Sequence, residues 1–138
     1  MKKTSTVALL CAMLFCLVLS ACGSAGLADG FDSKQVTERA EAAVSLANGG
    51  DYDALVSSFR SDLQKQLTAD TFKSAWSSQL KDAGAFKSFK STAVYGTKDK
   101  STGEDYAVAV IVAEYENAAH TFTISVDKDG KLVGMYMK

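Results

Sequence analysis

Few of the 138 residues carry side chains that do chemistry unaided at neutral pH. The single histidine, His120, could serve as a general base, because imidazole ordinarily titrates near neutrality. At a strand start beside Phe122, it suits a structural role better. One histidine also leaves no multi-histidine metal site. Asp127-Lys128-Asp129-Gly130 has the spacing of the opening of a calcium loop, but no closing glutamate follows before Lys138, so a hairpin turn is the expected structure. Glu114 and Glu116 are too easily solvated to form a working carboxylate pair. Tyr52, Trp76, Tyr106 and Tyr136 could line a pocket for an apolar ligand, although aromatics in a small domain mainly supply core, the default for Trp76. The chain contains no nucleophile-elbow serine, no phosphate-cradling glycine loop and no helix with paired histidines. No metal site and no cofactor is therefore expected.

The three thiols, Cys11, Cys16 and Cys22, all lie near the N-terminus. Lys2 and Lys3 precede an apolar run from Val7 to Leu19, too short to span a bilayer and the right length for an export signal. The run ends in Leu19-Ser20-Ala21-Cys22, which resembles the bacterial lipoprotein box. That resemblance implies cleavage before Cys22 and a diacylglyceryl thioether on its sulfur, placing the protein on the outer face of the cell membrane. The organisation expected is a signal peptide at 1–21, a lipidated flexible tether at 22–30, and one domain at 31–138. Removing residues 1–21 leaves 117, enough for one core and too few for two. Without Lys2 and Lys3, 13 basic residues face 16 acidic ones, a balance that argues against nucleic acid as a partner. With Cys22 capped, the domain has no free thiol and no disulfide, so packing alone must hold it.

Gly23 to Gly30 is small and polar, with three glycines. Asp32 then reads as an N-cap, with Gln35 at the reciprocal position and Phe31 stapled to Val36. Val36, Ala40, Ala43, Val44 and Ala47 recur at helical spacing, and Asn48-Gly49-Gly50 supplies the stop. A short second helix opens at Asp51, buries Leu55, Val56 and Phe59, and gives way near Arg60 to a turn around Leu63 and Leu67. A third has Thr68 as N-cap, an apolar face of Phe72, Ala75, Trp76 and Leu80, and Gly84 past its end. From Phe86 the period changes. Strands are predicted at Phe86–Thr97, Tyr106–Tyr115, His120–Asp127 and Leu132–Met137, with a bulge at Gly134. Short connections favour an antiparallel meander. His120, Phe122, Ile124 and Val126 should face the helices. Tyr106 to Tyr115 is apolar on both faces; Ala107, Ala109, Ile111 and Ala113 beside Tyr115 are read as an outer face able to dimerise, and Tyr95 and Tyr115 as surface tyrosines.

The predicted class is α+β: about three N-terminal helices on a curved four-stranded meander, preceded by the signal-peptide helix. Ala75-Trp76, Gly84-Ala85-Phe86, Tyr106 to Tyr115 and Gly130-Lys131-Leu132-Val133-Gly134-Met135-Tyr136 resemble the bacterial family called domain of unknown function 3887. That family is similar to the cone-shaped nuclear-transport-factor-two-like and cystatin-like folds. The resemblance implies a shape, a pocket at the wide end and a homodimer, and carries over no catalytic residue. By analogy with isomerases on related folds, which pair a carboxylate with tyrosine donors, Asp53 with Tyr52 or Tyr136 is the best catalytic guess. The leading expectation is a binding module, anchored through Cys22, for a small apolar ligand or peptide. A dimerising envelope protein and a small isomerase or hydrolase are the alternatives.

Overall fold

The computed structural model describes residues 26–138. The expected signal peptide at 1–21 and Cys22 lie outside the described residues. Four helices precede four strands: α1 (Ser33–Asn48), α2 (Tyr52–Ser57), α3 (Ser61–Gln64), α4 (Ala69–Ala83), β1 (Phe86–Lys98), β2 (Asp105–Tyr115), β3 (Ala119–Val126) and β4 (Leu132–Met137). The strands pair in sequence order, each antiparallel to the next, which is the expected α+β meander. None of these helices is long and apolar enough to cross a membrane.

Local chemistry sets the helix ends. The Asp32 carboxylate accepts from the Gln35 amide at 2.9 Å, Asp51 from Ala54 at 3.1 Å and Thr68 from Thr71 at 3.3 Å, so three helices start where a side-chain oxygen satisfies an orphan N–H. At the end of α1, Gly50 takes φ +71°, a conformation that a β-carbon penalises. The turn expected around Leu63 closes into the four-residue α3.

Cross-strand partners share a face, so register decides which row of β2 is buried. Phe122 and Ile124 pair with Ile111 and Ala109, and all four are fully buried. This corrects the expectation for β2: Ala107, Ala109, Ile111 and Ala113 face the helices, and the outward row is Val108, Val110 and Val112. The reason is complementarity of size. Helix α1 packs on β2 and buries Ala40, Ala43 and Ala47, so small residues on both surfaces allow a close approach and bulkier valines fall outside. Tyr115 is corrected with its row. It is 4% exposed, its hydroxyl donates to Asn48 Oδ1 at 2.6 Å, and its ring meets Phe86 and His120 edge-on. Tyr95 does lie on the outer face, 40% exposed opposite Val108. The bulge expected near Gly134 is present: Ser125 pairs with Gly134 and Val126 with Leu132, leaving Val133 as the extra residue.

The segment before Phe31 touches the domain. Leu27 packs against the core, and the Gly26 carbonyl lies where a β-carbon at Gly96 would sit. Gly96 thus leaves room for the incoming chain to pass against the face of β1 that it shares with Ala107. Gly96→Val is expected to displace Gly26 and Leu27 and leave the sheet paired. Limited proteolysis should then cut near Leu27 at least roughly tenfold faster, with an unfolding free energy lower by about 1 kcal/mol from lost burial. Equal cutting rates would refute this docking.

Candidate functional site

An apolar groove opens between α3, α4 and β4. Its volume is about 410 Å³, and Leu63, Leu67, Phe72, Trp76, Met135 and Tyr136 dominate its walls, with Gln66 and Thr71 as polar groups. Three features of the chain build it. A parallel bridge joins Phe59 to Leu132, with Leu132 N–H donating to Ser58 O at 3.0 Å and Arg60 N–H to Leu132 O at 2.9 Å, which pins the α2–α3 junction to the start of β4. Next, Gln64 Nε2 donates to Phe59 O at 2.7 Å and holds α3 against that junction. Finally, an aromatic chain from Phe59 through Phe72 and Trp76 to Phe122, with centroids 5.7, 4.9 and 6.1 Å apart, fixes the groove floor.

A larger cleft of about 540 Å³ lies beside the C-terminal end of α1 and is lined by Tyr52, Asp53, Asp70, Lys73 and Lys81 among others. Charges of both signs keep it hydrated, so the smaller groove is the better binding candidate. Burial raises the Tyr52 hydroxyl above the ordinary tyrosine range.

The candidate residues therefore divide. Trp76, 6% exposed, and Tyr136, 63% exposed, come together in the groove, while Tyr52 and Asp53 share the charged cleft. His120 stands apart from both, edge-on to Tyr115, and its Nε2 is buried without a hydrogen-bond partner among the described residues. Asp53, His120 and Tyr136 thus occupy three separate places. Tyr106 lies in neither cavity: its hydroxyl donates to Glu104 Oε2 at 2.8 Å, which also raises its pKa.

Glu104 belongs to a polar knot centred on Arg60. The guanidinium donates to Asp62 Oδ1 at 2.9 Å and to Glu104 Oε1 at 3.0 Å, and lies 3.9 Å from Asp127 Oδ2. It lowers the Asp62 carboxyl below its ordinary range, chiefly through that hydrogen bond. Asp127 is buried and its Oδ1 accepts from the amides of Asp129 at 3.0 Å and Lys131 at 2.9 Å. The carboxylate that suggested a calcium loop is committed to its own hairpin turn, as a turn reading requires. Among the described residues, no three acidic, histidine or cysteine side chains cluster as a metal site.

Leu63, Leu67 and Met135 entered the sequence reading only as core or strand residues. Their apolar character was visible, but the contact that gathers them, Phe59 with Leu132, spans the length of the domain and has no local signal.

A model of a family described as a protein of unknown function (DUF3887) matches residues 40–135. The chain belongs to the DUF3887 family. The match runs from α1 into β4 and includes every groove wall residue except Tyr136. A similar solved structure, the NMR structure of a protein from Ruminococcus gnavus ATCC 29149, is 29% identical, with a TM-score of 0.73 over 83% of this chain and 97% of that one. No curated protein matches this DUF3887 chain.

Tyr115 gives this domain a measurable pH signature. Burial pushes its hydroxyl up to about 12. A raised pKa means that the folded state favours the neutral phenol. This contribution to stability is complete below pH ~10 and is lost as pH rises toward about 12. Tyr115→Phe should lower stability by about 1 kcal/mol at neutral pH through the lost hydrogen bond. It should also flatten the decline between pH ~10 and ~12 in denaturant titrations, and an unchanged slope would refute the assignment.

Proposed function

We propose that this protein is a non-catalytic binding module, held on the outer face of the cell membrane by a lipid on Cys22, whose groove takes a small apolar ligand or peptide. The observation that carries the reading is the groove itself: an apolar concavity of ligand size, open to solvent, with a buried tryptophan on its floor and the exposed Tyr136 at its rim, where the sheet edge turns to the outer face. The lipoprotein-like Leu19-Ser20-Ala21-Cys22 supports the location. Trp76 is the chain's only tryptophan, so its fluorescence reports this groove alone. Native mass spectrometry of protein extracted from its own cells should reveal a retained apolar molecule, and stripping it should shift Trp76 emission. A consistently empty protein whose emission is unmoved by 1-anilinonaphthalene-8-sulfonate would overturn the reading.

The outer sheet face favours a second reading, a homodimer. Val110 and Val112 form its centre beside the nearly covered Val108, flanked by Ala93, Tyr95, Thr121, Thr123, Ser125 and Tyr136, with Glu114 and Lys138 at one end. At a spacing of ~4.8 Å and a rise of ~3.3 Å per residue, four strands of these lengths project roughly 600 Å². That projection is about three quarters of the ~800 Å² per partner of a standard interface. Light scattering should give twice the chain mass, and Val110→Lys should return it to one. A wild-type monomer at high concentration overturns this reading.

A further inference from the structure

The two edges of the sheet differ. Strand β1 is guarded as free edges usually are, by Lys87, Lys90 and Lys98 and by two bulges. Strand β4 carries no charged side chain from Leu132 to Met137, and its one bulge lies at its start. Thr121 and Lys138 exchange both backbone hydrogen bonds, at 2.8 and 2.9 Å. Antiparallel alternation then points the N–H and C=O of Tyr136 and Gly134 toward β3 and those of Met137 and Met135 outward. Leu132 has its outward groups bonded to Ser58 and Arg60, which lie along β4 in parallel register. The chain thus begins a fifth strand and leaves it after one bridge, turning into α3. Beyond that point, the outward groups of Met135 and Met137 bond to no backbone group among the described residues, and the apolar groove runs beside them.

We propose that β4 and the groove together receive an extended peptide, which continues the strand begun by Ser58–Arg60. The inference rests on the groove being a binding site and names what enters it. Unpaired donors and acceptors at strand spacing match an extended backbone, and a compact apolar molecule leaves them unsatisfied. Alternate peptide side chains enter the groove against Leu67, Phe72 and Trp76; those between them lie on the outer side near Tyr136. Apolar residues at every second position are therefore the required pattern, with little demand on the rest.

The test uses the mature lipidated protein in detergent and three capped heptapeptides alternating Thr with Val, Leu or Phe. At least one should shift Trp76 emission and slow hydrogen exchange in the Leu132–Lys138 fragment by roughly tenfold or more at two amides. N-methylating the peptide at alternate positions removes donors and leaves the side chains, and should weaken binding at least about tenfold. Met137→Pro removes one outward N–H and no bond to β3. It should weaken the peptide by a similar factor and leave 1-anilinonaphthalene-8-sulfonate binding unchanged. Dye binding without any peptide binding, or equal affinity for the N-methylated peptides, overturns strand addition and spares the groove. Failure of dye and peptides alike overturns both.

Discussion

Trp76→Ala is expected to cost about 3–5 kcal/mol of stability, the range for removing a buried large aromatic side chain. Trp76 is 6% exposed, lies 4.9 Å from the Phe72 ring and meets Phe122 edge-on at 6.1 Å, so no neighbour can collapse fully into the space it leaves. For a domain of this size, that loss lowers the melting midpoint by roughly 15 °C, and calorimetry measures it directly. Trp76→Phe keeps an aromatic ring on the floor and should cost under about 1.5 kcal/mol. The pair separates fold from site. The phenylalanine variant should fold normally and bind 1-anilinonaphthalene-8-sulfonate with changed affinity, because one wall has moved. Destabilisation below about 1 kcal/mol in Trp76→Ala would mean that the ring does not bridge α4 and β3.

What could be read from the sequence was local. Asp32 and Thr68 mark helix starts because a cap needs only a side-chain oxygen within three residues of an orphan amide. The strand alternation of Phe122, Ile124 and Val126 needs no knowledge of what covers them. Strand β2 lacked that asymmetry: valine and alanine alternate along it, and hydrophobicity alone favours burying the valines. The opposite outcome depends on the alanine face of α1, about 60 residues earlier, so choosing the row meant knowing the docking partner. Tyr115 was misplaced for the same reason, since its hydroxyl partner Asn48 is 67 residues away.

The candidate site was legible to the same degree. Trp76 and Tyr136 stood out as aromatics, and the structure brings them to one groove. The groove exists because Phe59 meets Leu132 and because Trp76 meets Phe122, and neither long-range pairing leaves a mark in local spacing. Asp53 was chosen by analogy with other folds, and it lies in a different cavity from Tyr136.

Cys22→Ala is expected to have the largest effect of any substitution. Under the proposed anchoring, two acyl chains contribute ~0.8 kcal/mol per buried methylene, whereas one chain alone binds only marginally. Removing the sulfur removes both chains together, so the protein should pass almost wholly from the detergent phase to the aqueous phase on cloud-point separation and leave the membrane pellet. Circular dichroism and the melting midpoint should stay unchanged, because Cys22 precedes every element among the described residues. Unchanged partitioning would refute the anchor. Leu27 sets how far the domain can then stand from the lipid. Leu27 is five residue steps from Cys22, and at ~3.5 Å each those steps reach at most roughly 18 Å. Under the proposed anchoring, docking of Gly26 and Leu27 beside Gly96 holds the sheet close to the headgroups, and Gly96→Val should lengthen that leash without weakening membrane partitioning. Fluorescence quenching by headgroup-labelled lipid in vesicles should fall in Gly96→Val and vanish in Cys22→Ala, an ordering that follows only if the tether is both lipidated at one end and seated at the other.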